Sequence, residues 1–204
     1  MRRRDLTRAI FAVALATAIA TSAAAQDAES HYTSTTEKAC KTIDKAKESE
    51  GDWVVLGCPG RAGLVIRITE DDLRTTVSAG RTQAAADDEP AAGQGFPPFN
   101  RVGDTLEWRG VKGGAPFALI QRWFLSDSQN PDADGRPRPV GLMVVTRLPP
   151  GPACHVAYVD VRANPDANAL ARRAADEHAR TFRCGTDEIL VVGNRGRAME
   201  LAGR

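Results

Sequence analysis

Short runs of strand-forming residues, several alternating apolar with polar positions and all bounded by glycine- and proline-bearing turns, recur from Trp53 to Val161 and predict a protein built mainly of strands. The first three are Trp53 to Cys58, Gly63 to Thr69 and Arg74 to Ala79. Their connectors Pro59-Gly60-Arg61-Ala62 and Glu70-Asp71-Asp72-Leu73 are hairpin-sized, so a meander is expected. Thr105 to Arg109 and Phe117 to Phe124 then flank Gly113-Gly114, a pair suited to a tight turn. Strand alternation puts Leu106, Trp108, Leu119, Gln121 and Trp123 on one face of that hairpin. Glu107, Arg109, Ala118, Ile120 and Arg122 fall on the other, provided the register keeps parity. Pro139 to Arg147 is nearly continuous in apolar residues and reads as a strand at the sheet's centre.

The most informative stretch is Ala153 to Cys184. Ala153 to Val161 reads as a strand, Asn164-Pro165-Asp166 turns the chain, and Ala167 to Phe182 reads as a helix. Its apolar side holds Ala167, Leu170, Ala171, Ala174, Ala175 and Phe182, with His178 among them; Arg172, Arg173, Asp176, Glu177 and Arg180 lie opposite. Glu188 to Val192 supplies a last strand, and Asn194 to Arg204 is expected to fray. Gly80 to Gly95 contains no large apolar residue and is expected to be a mobile loop, closed by Phe96-Pro97-Pro98-Phe99 as an anchor. Gln26 to Glu50 is polar, with Thr36 to Ile43 as a short helix or irregular arm. The expected fold is α+β and mainly β: an antiparallel sheet curled as a half-barrel or sandwich, with one C-terminal helix packed on it.

Composition adds an address. Three arginines near the start, an apolar run from Ala9 to Ala20 and Ala23-Ala24-Ala25 make residues 1–25 a cleaved signal peptide, too short for a bilayer span. Arg3-Arg4 ahead of Leu6 lacks the bulky apolar pair of a twin-arginine signal, which favours the general secretory route. Residues 26–204 are then one exported domain, periplasmic or secreted, with no stable membrane anchor. Removing the leader takes four of 27 basic and one of 26 acidic residues, leaving 23 against 25. That balance carries no signature of a nucleic-acid partner.

All four cysteines follow the leader, and an even number in an oxidising compartment argues for two disulfides. The expected pairs are Cys40–Cys58 and Cys154–Cys184. The strand after Ala153 and the helix after Ala167 are each roughly 25 Å long, so a helix folding back along the strand brings Cys184 level with Cys154. Zinc is disfavoured because no Cys-x-x-Cys spacing exists and alternation turns His155 away from Cys154.

Candidate chemistry is sparse. Arg101, Glu107, Arg109 and Arg122 form either a solvated salt-bridge ladder or a patch whose guanidinium forks suit carboxylate or phosphate. If Cys154 meets Cys184, His178 stands opposite residues 156 to 158, and Tyr158, placed on the face of Cys154, becomes its hydrogen-bonding partner. Such a His/Tyr couple serves acid–base chemistry, yet no nucleophile or oxyanion site accompanies it, so a core histidine is the preferred reading. Gly57, Gly60 and Gly63 lack the spacing and helix of a phosphate loop. Asn130 to Gly135 begins like a calcium loop and fails at Gly141, where a bidentate Glu belongs. No metal and no cofactor are expected.

Phe99-Asn100, Glu107-Trp108-Arg109, Ile120-Gln121-Arg122-Trp123, Cys154 to Asp160 and Ala167 to Arg172 with Ala175-Asp176 resemble a family of exported, uncharacterised proteobacterial proteins. The resemblance implies export and single-domain organisation over most of the mature chain, and no activity. The expected function is a non-catalytic binding or accessory protein of the envelope, with an unknown envelope ligand or protein as partner. The alternative is a small periplasmic enzyme using His178 and Tyr158.

Overall fold

The computed structural model describes residues 28–47, 49 and 51–204; the leader assigned to residues 1–25 lies outside the described residues. Two sheets carry the fold. The larger is built from β1 (Ala28–Ser34), β6 (Asn100–Val111), β7 (Pro116–Asp127), β8 (Arg138–Arg147), β9 (His155–Asp160) and β10 (Leu190–Val191), side by side in that order. The smaller runs β2 (Lys41–Lys45), β3 (Trp53–Cys58), β4 (Val65–Asp71) and β5 (Arg74–Gly80). All neighbours are antiparallel except β9 and β10. Neither sheet closes into a barrel.

Strand alternation explains the layering. Leu106, Trp108, Leu119, Trp123 and Tyr158 on the inner face of the large sheet share one buried cluster with Ile66, Ile68, Val77 and Ala79 of the small sheet. Both indoles are at most 1% exposed, and each large side chain buried this way contributes about 1.5–3 kcal/mol. The opposite face of the large sheet packs Ala118, Ile120, Met143, Val145 and Val159 against α2 (Ala167–His178), which turns Ala167, Ala171, Ala174 and Ala175 inward. The result is a sheet-on-sheet sandwich with a helix layer outside the larger sheet.

Both expected disulfides form. Cys40 and Cys58 join where β2 and β3 pair, and Cys154–Cys184 links the start of β9 to the chain just past α2. The fold-back geometry of strand and helix is therefore realised.

Three segments differ from expectation. The polar arm is a strand: Tyr32 pairs opposite Glu107 and Trp108 Nε1 donates to Thr33 Oγ1 at 2.8 Å, so β1 gains its order from β6. Residues 80–95, read as a featureless excursion, hold α1 (Gln83–Asp87) and a 3-10 turn at Pro90–Gly93, with Ala86 and Ala91 fully buried. A Cβ on Gly80 would meet Ala86 N at 2.5 Å, so glycine there lets α1 lie on the end of β5. Thr82 caps α1 by accepting from Ala85 N at 3.1 Å, and Thr82→Ala is expected to cost about 0.5–1 kcal/mol in urea unfolding. The tail is not frayed either: α3 (Arg197–Leu201) buries Ala198 and Met199, and Asp160 accepts from Ala198 N at 2.8 Å.

Candidate functional site

The outer face of the large sheet is longer than α2 can cover, and the uncovered part forms a groove of about 510 Å³. Its floor is Ile120, Arg122 and Phe124 of β7 with Met143 of β8; Arg101, Gly103, Asp104, Thr105 and Glu107 of β6 form one wall; Asn168 and Arg172 of α2 form another, and Tyr32 of β1 closes the end. The wall on β6 exists because that strand places three residues, Gly103 to Thr105, between the pairs Val102–Trp123 and Leu106–Gln121, where β7 places only Arg122. Such a bulge pushes Asp104 and Thr105 outward, and the even excess leaves the strand's faces as alternation assigns them. Buried Gln121 pins it, donating to Gly103 O at 2.9 Å beside Thr35 Oγ1 at 2.7 Å.

The charged residues at this end divide into committed and uncommitted groups. Buried Glu107 accepts from Arg172 Nε at 2.6 Å and Nη2 at 3.3 Å, and from the Ser30 hydroxyl. The pair raises the pKa of Arg172, chiefly through that hydrogen bond. Tyr32 adds a contact, accepting from Arg172 Nη2 at 3.1 Å. Arg109 does not line the groove. It donates to both carboxylate oxygens of Asp176 at 3.0 and 2.6 Å and to Ser30, so its role is to fasten α2 to the sheet. Arg122 is half-buried and donates to Asn168 Oδ1 at 3.5 Å, while the Arg101 guanidinium stacks 4.3 Å above the Phe124 ring. Among the described residues neither Arg101 nor Arg122 forms a salt bridge to a carboxylate.

Thus Arg101, Glu107 and Arg122 meet at one groove and Arg109 stands apart. Tyr32, Phe124, Asn168 and Arg172 complete the groove. Arg172 was legible as a surface position of the helix, but nothing local says which strand end it overhangs, and Asn168 carried no signal of its own.

The second expected pair does not form. His178 is nearly half exposed, with Nε2 3.6 Å from Glu177 Oε2, because an inward face of alanines leaves methyl-sized room under the helix. Tyr158 instead pairs with His155, whose Nδ1 lies 2.8 Å from the phenol oxygen. Register explains the exchange: Val145 opposes Ala157 but Thr146 opposes His155, so Val156 is an extra residue in β9. The bulge reverses the alternation, sending Val156 and Cys154 to the helix side and His155 to the inner core beside Tyr158, Phe96 and Trp123. The expectation that Tyr158 shares a face with Cys154 is corrected by that one residue.

His155 and Tyr158 are 1% and 2% exposed. Burial, with the nearby Arg204 charge second, pushes the His155 pKa down to about 3; burial pushes Tyr158 up to about 12, against smaller opposing effects of Arg204. Near neutral pH both groups are neutral, and His155 contributes to the wall of a depression of about 570 Å³ with Gln94, Phe182 and Arg204. No protein-family model, curated protein or solved structure matches the chain.

Proposed function

We propose that the protein is a non-catalytic binding module of the cell envelope, exported and disulfide-bonded, whose groove captures an anionic group between Arg122 and Arg101. One observation carries the reading: Arg122 is a half-buried cation with no carboxylate counterion among the described residues, in a groove whose third arginine, Arg172, is neutralised by Glu107. A guanidinium with no salt bridge keeps its fork of donors free, and an anion with planar oxygens matches that fork through charge-assisted hydrogen bonds. The formed disulfides support an oxidising compartment. Among the described residues no helix is long and apolar enough to cross a membrane. The resemblance to exported proteobacterial proteins agrees with the same address. The enzyme alternative is less favoured because His155 and Tyr158 are buried and hydrogen-bonded to each other, while His178 stands beside Glu177 on the helix surface.

Isothermal titration of the purified protein with inorganic phosphate and with citrate tests the reading. Binding should weaken by about tenfold or more in Arg122→Ala, the equivalent of about 1.4 kcal/mol or more. Its melting temperature should stay within a few degrees of wild type. Absence of anion binding, or binding that Arg122→Ala leaves intact, sinks the assignment.

A further inference from the structure

A separate depression of about 430 Å³ opens at the start of β8, and no residue that lines it also lines the groove. Its lining holds three arginines, Arg138, Arg162 and Arg197, and one carboxylate, Asp127. That carboxylate is already engaged. Asp127, 2% exposed, accepts from Arg197 Nε and Nη2, each at 2.8 Å, from Asn130 Nδ2 at 2.8 Å and from Gln129 N at 3.1 Å. The remaining terminal nitrogen of Arg197 donates to Glu200 at 2.8 Å.

The register of β7 and β8 puts Arg138 directly opposite Asp127, where a cross-strand ion pair belongs. The Arg197 side chain of α3 takes that partner instead, and among the described residues neither Arg138 nor Arg162 forms a salt bridge. Asp132 lies near enough for the charge of Arg138 to act on it, but Arg136 Nε and the backbone N–H groups of Asp134 and Arg136 hold its oxygens. Arg162 comes close to Arg138 through the neighbouring strand. Val161 N donates to Gly141 O at 3.0 Å, which extends the pairing of β8 with β9 by one residue and brings Arg162 alongside Val140. Arg138 and Arg162 thus flank Val140 at the diagonal spacing of a sheet, about 7–8 Å. Two like charges so placed repel each other unless an anion stands between them.

We propose that this depression is a second anion site, in which Arg138 and Arg162 clamp the phosphate of a monoester while the apolar body of the ligand rests on Pro139, Val140 and Val161. Charge and shape select the phosphate. A phosphomonoester carries a charge of about −2 near neutral pH, which matches two guanidinium groups, and its three terminal oxygens let both forks engage it. A carboxylate has the charge for only one. Both arginines are exposed, so salt screens the attraction and the apolar wall must add to the affinity. A soluble phosphomonoester and the headgroup of phosphatidic acid present the same chemistry.

Isothermal titration with phenyl phosphate, run in the Arg122→Ala protein so that the signal does not depend on the groove, tests the proposal. Affinity should fall by about tenfold or more when Arg138→Ala or Arg162→Ala is added. Arg138→Lys, which keeps the charge and loses the fork, should remain about threefold or more weaker than the parent. Inorganic phosphate lacks the apolar body and benzoate lacks the second charge, so each should bind this site about tenfold or more weakly than phenyl phosphate. Melting temperatures should stay within a few degrees of the parent, because both side chains are exposed and neither leaves a buried acid behind. Absence of phenyl phosphate binding, binding that survives both alanine substitutions, or equal affinity for benzoate overturns the proposal. Co-sedimentation with phosphatidylcholine vesicles, with and without phosphatidic acid, separates the two sources. Retention that needs phosphatidic acid and is lost in Arg138→Ala assigns the clamp to a lipid headgroup, and phenyl phosphate binding without retention assigns it to a soluble monoester.

Discussion

Lowering the pH from 7 to 4.5 is expected to destabilise the folded protein by roughly 2–3 kcal/mol through His155. In the unfolded chain this imidazole takes up a proton near its ordinary value of about 6.5. In the folded protein, burial among Phe96, Trp123 and Tyr158, and secondarily the Arg204 charge, lowers its pKa to about 3. The group's contribution is thus fully present above about pH 6.5 and is lost as the pH falls toward about 3, since only the unfolded state binds the proton in that window. Asp127, whose carboxyl is held far below the usual range mainly by Arg197, acts in the same direction. Its effect begins only near pH 4, where an unfolded Asp titrates, and Glu29, lowered chiefly by its hydrogen bond to His31, enters only at the lower end of the interval, so the fall from about 6.5 to about 5 belongs to His155. Urea unfolding at a series of pH values checks this: the wild-type midpoint should fall across the interval, and that of His155→Gln should stay nearly level whatever its absolute stability. Equal slopes in the two proteins would remove His155 as the cause.

Arg109→Ala should lower stability by about 3 kcal/mol, near the low end for breaking a buried pair, because Asp176 keeps 32% of its side chain exposed and rehydrates in part. For a domain of this size that is a fall in melting temperature of roughly 6–12 °C. Arg122→Ala, by contrast, leaves no buried carboxylate behind and should move stability by less than about 1 kcal/mol. The two arginines have the same parity on neighbouring strands, β6 and β7, so the contrast tests directly which one fastens α2 and which one serves the groove. A stable Arg109→Ala protein with lost anion binding would reverse the assignment.

Much of the fold was readable from local pattern. The strands at Trp53, Gly63, Arg74, Thr105, Phe117 and Pro139 announce themselves by apolar runs and by turn residues between them, and those features act over a few residues. The disulfide pairing was readable for a related reason, since a strand and a helix of equal length joined by a short turn must bring their far ends together. The elements that escaped lack an apolar signature. The β1 strand is ordered by pairing with β6, α1 and the turn after it by two buried alanines, and α3 by the Asp160 carboxylate at its first turn. For β1 and α3 the stabilising partner is distant in sequence, while α1 packs on the end of β5 just before it, through small residues that carry no apolar signal.

The site divides along the same line. Alternation alone put Glu107, Arg109 and Arg122 on one face of the hairpin, and the even-numbered bulge between Val102 and Leu106 preserved it. What the face does was decided by α2: where the helix covers the sheet, Arg109 is consumed by Asp176, and where it stops, Arg122 remains available. His155 shows the limit most plainly, because a single extra residue at Val156 inverts the strand's faces and replaces the expected His178–Tyr158 pair with His155–Tyr158. The sequence by itself determined the strands with an apolar pattern, their turns and the two covalent clips, which depend on period and distance along the chain. Tertiary structure alone decided which titratable side chain is buried and which arginine stays unpaired, because those outcomes depend on register and on where one element ends against another.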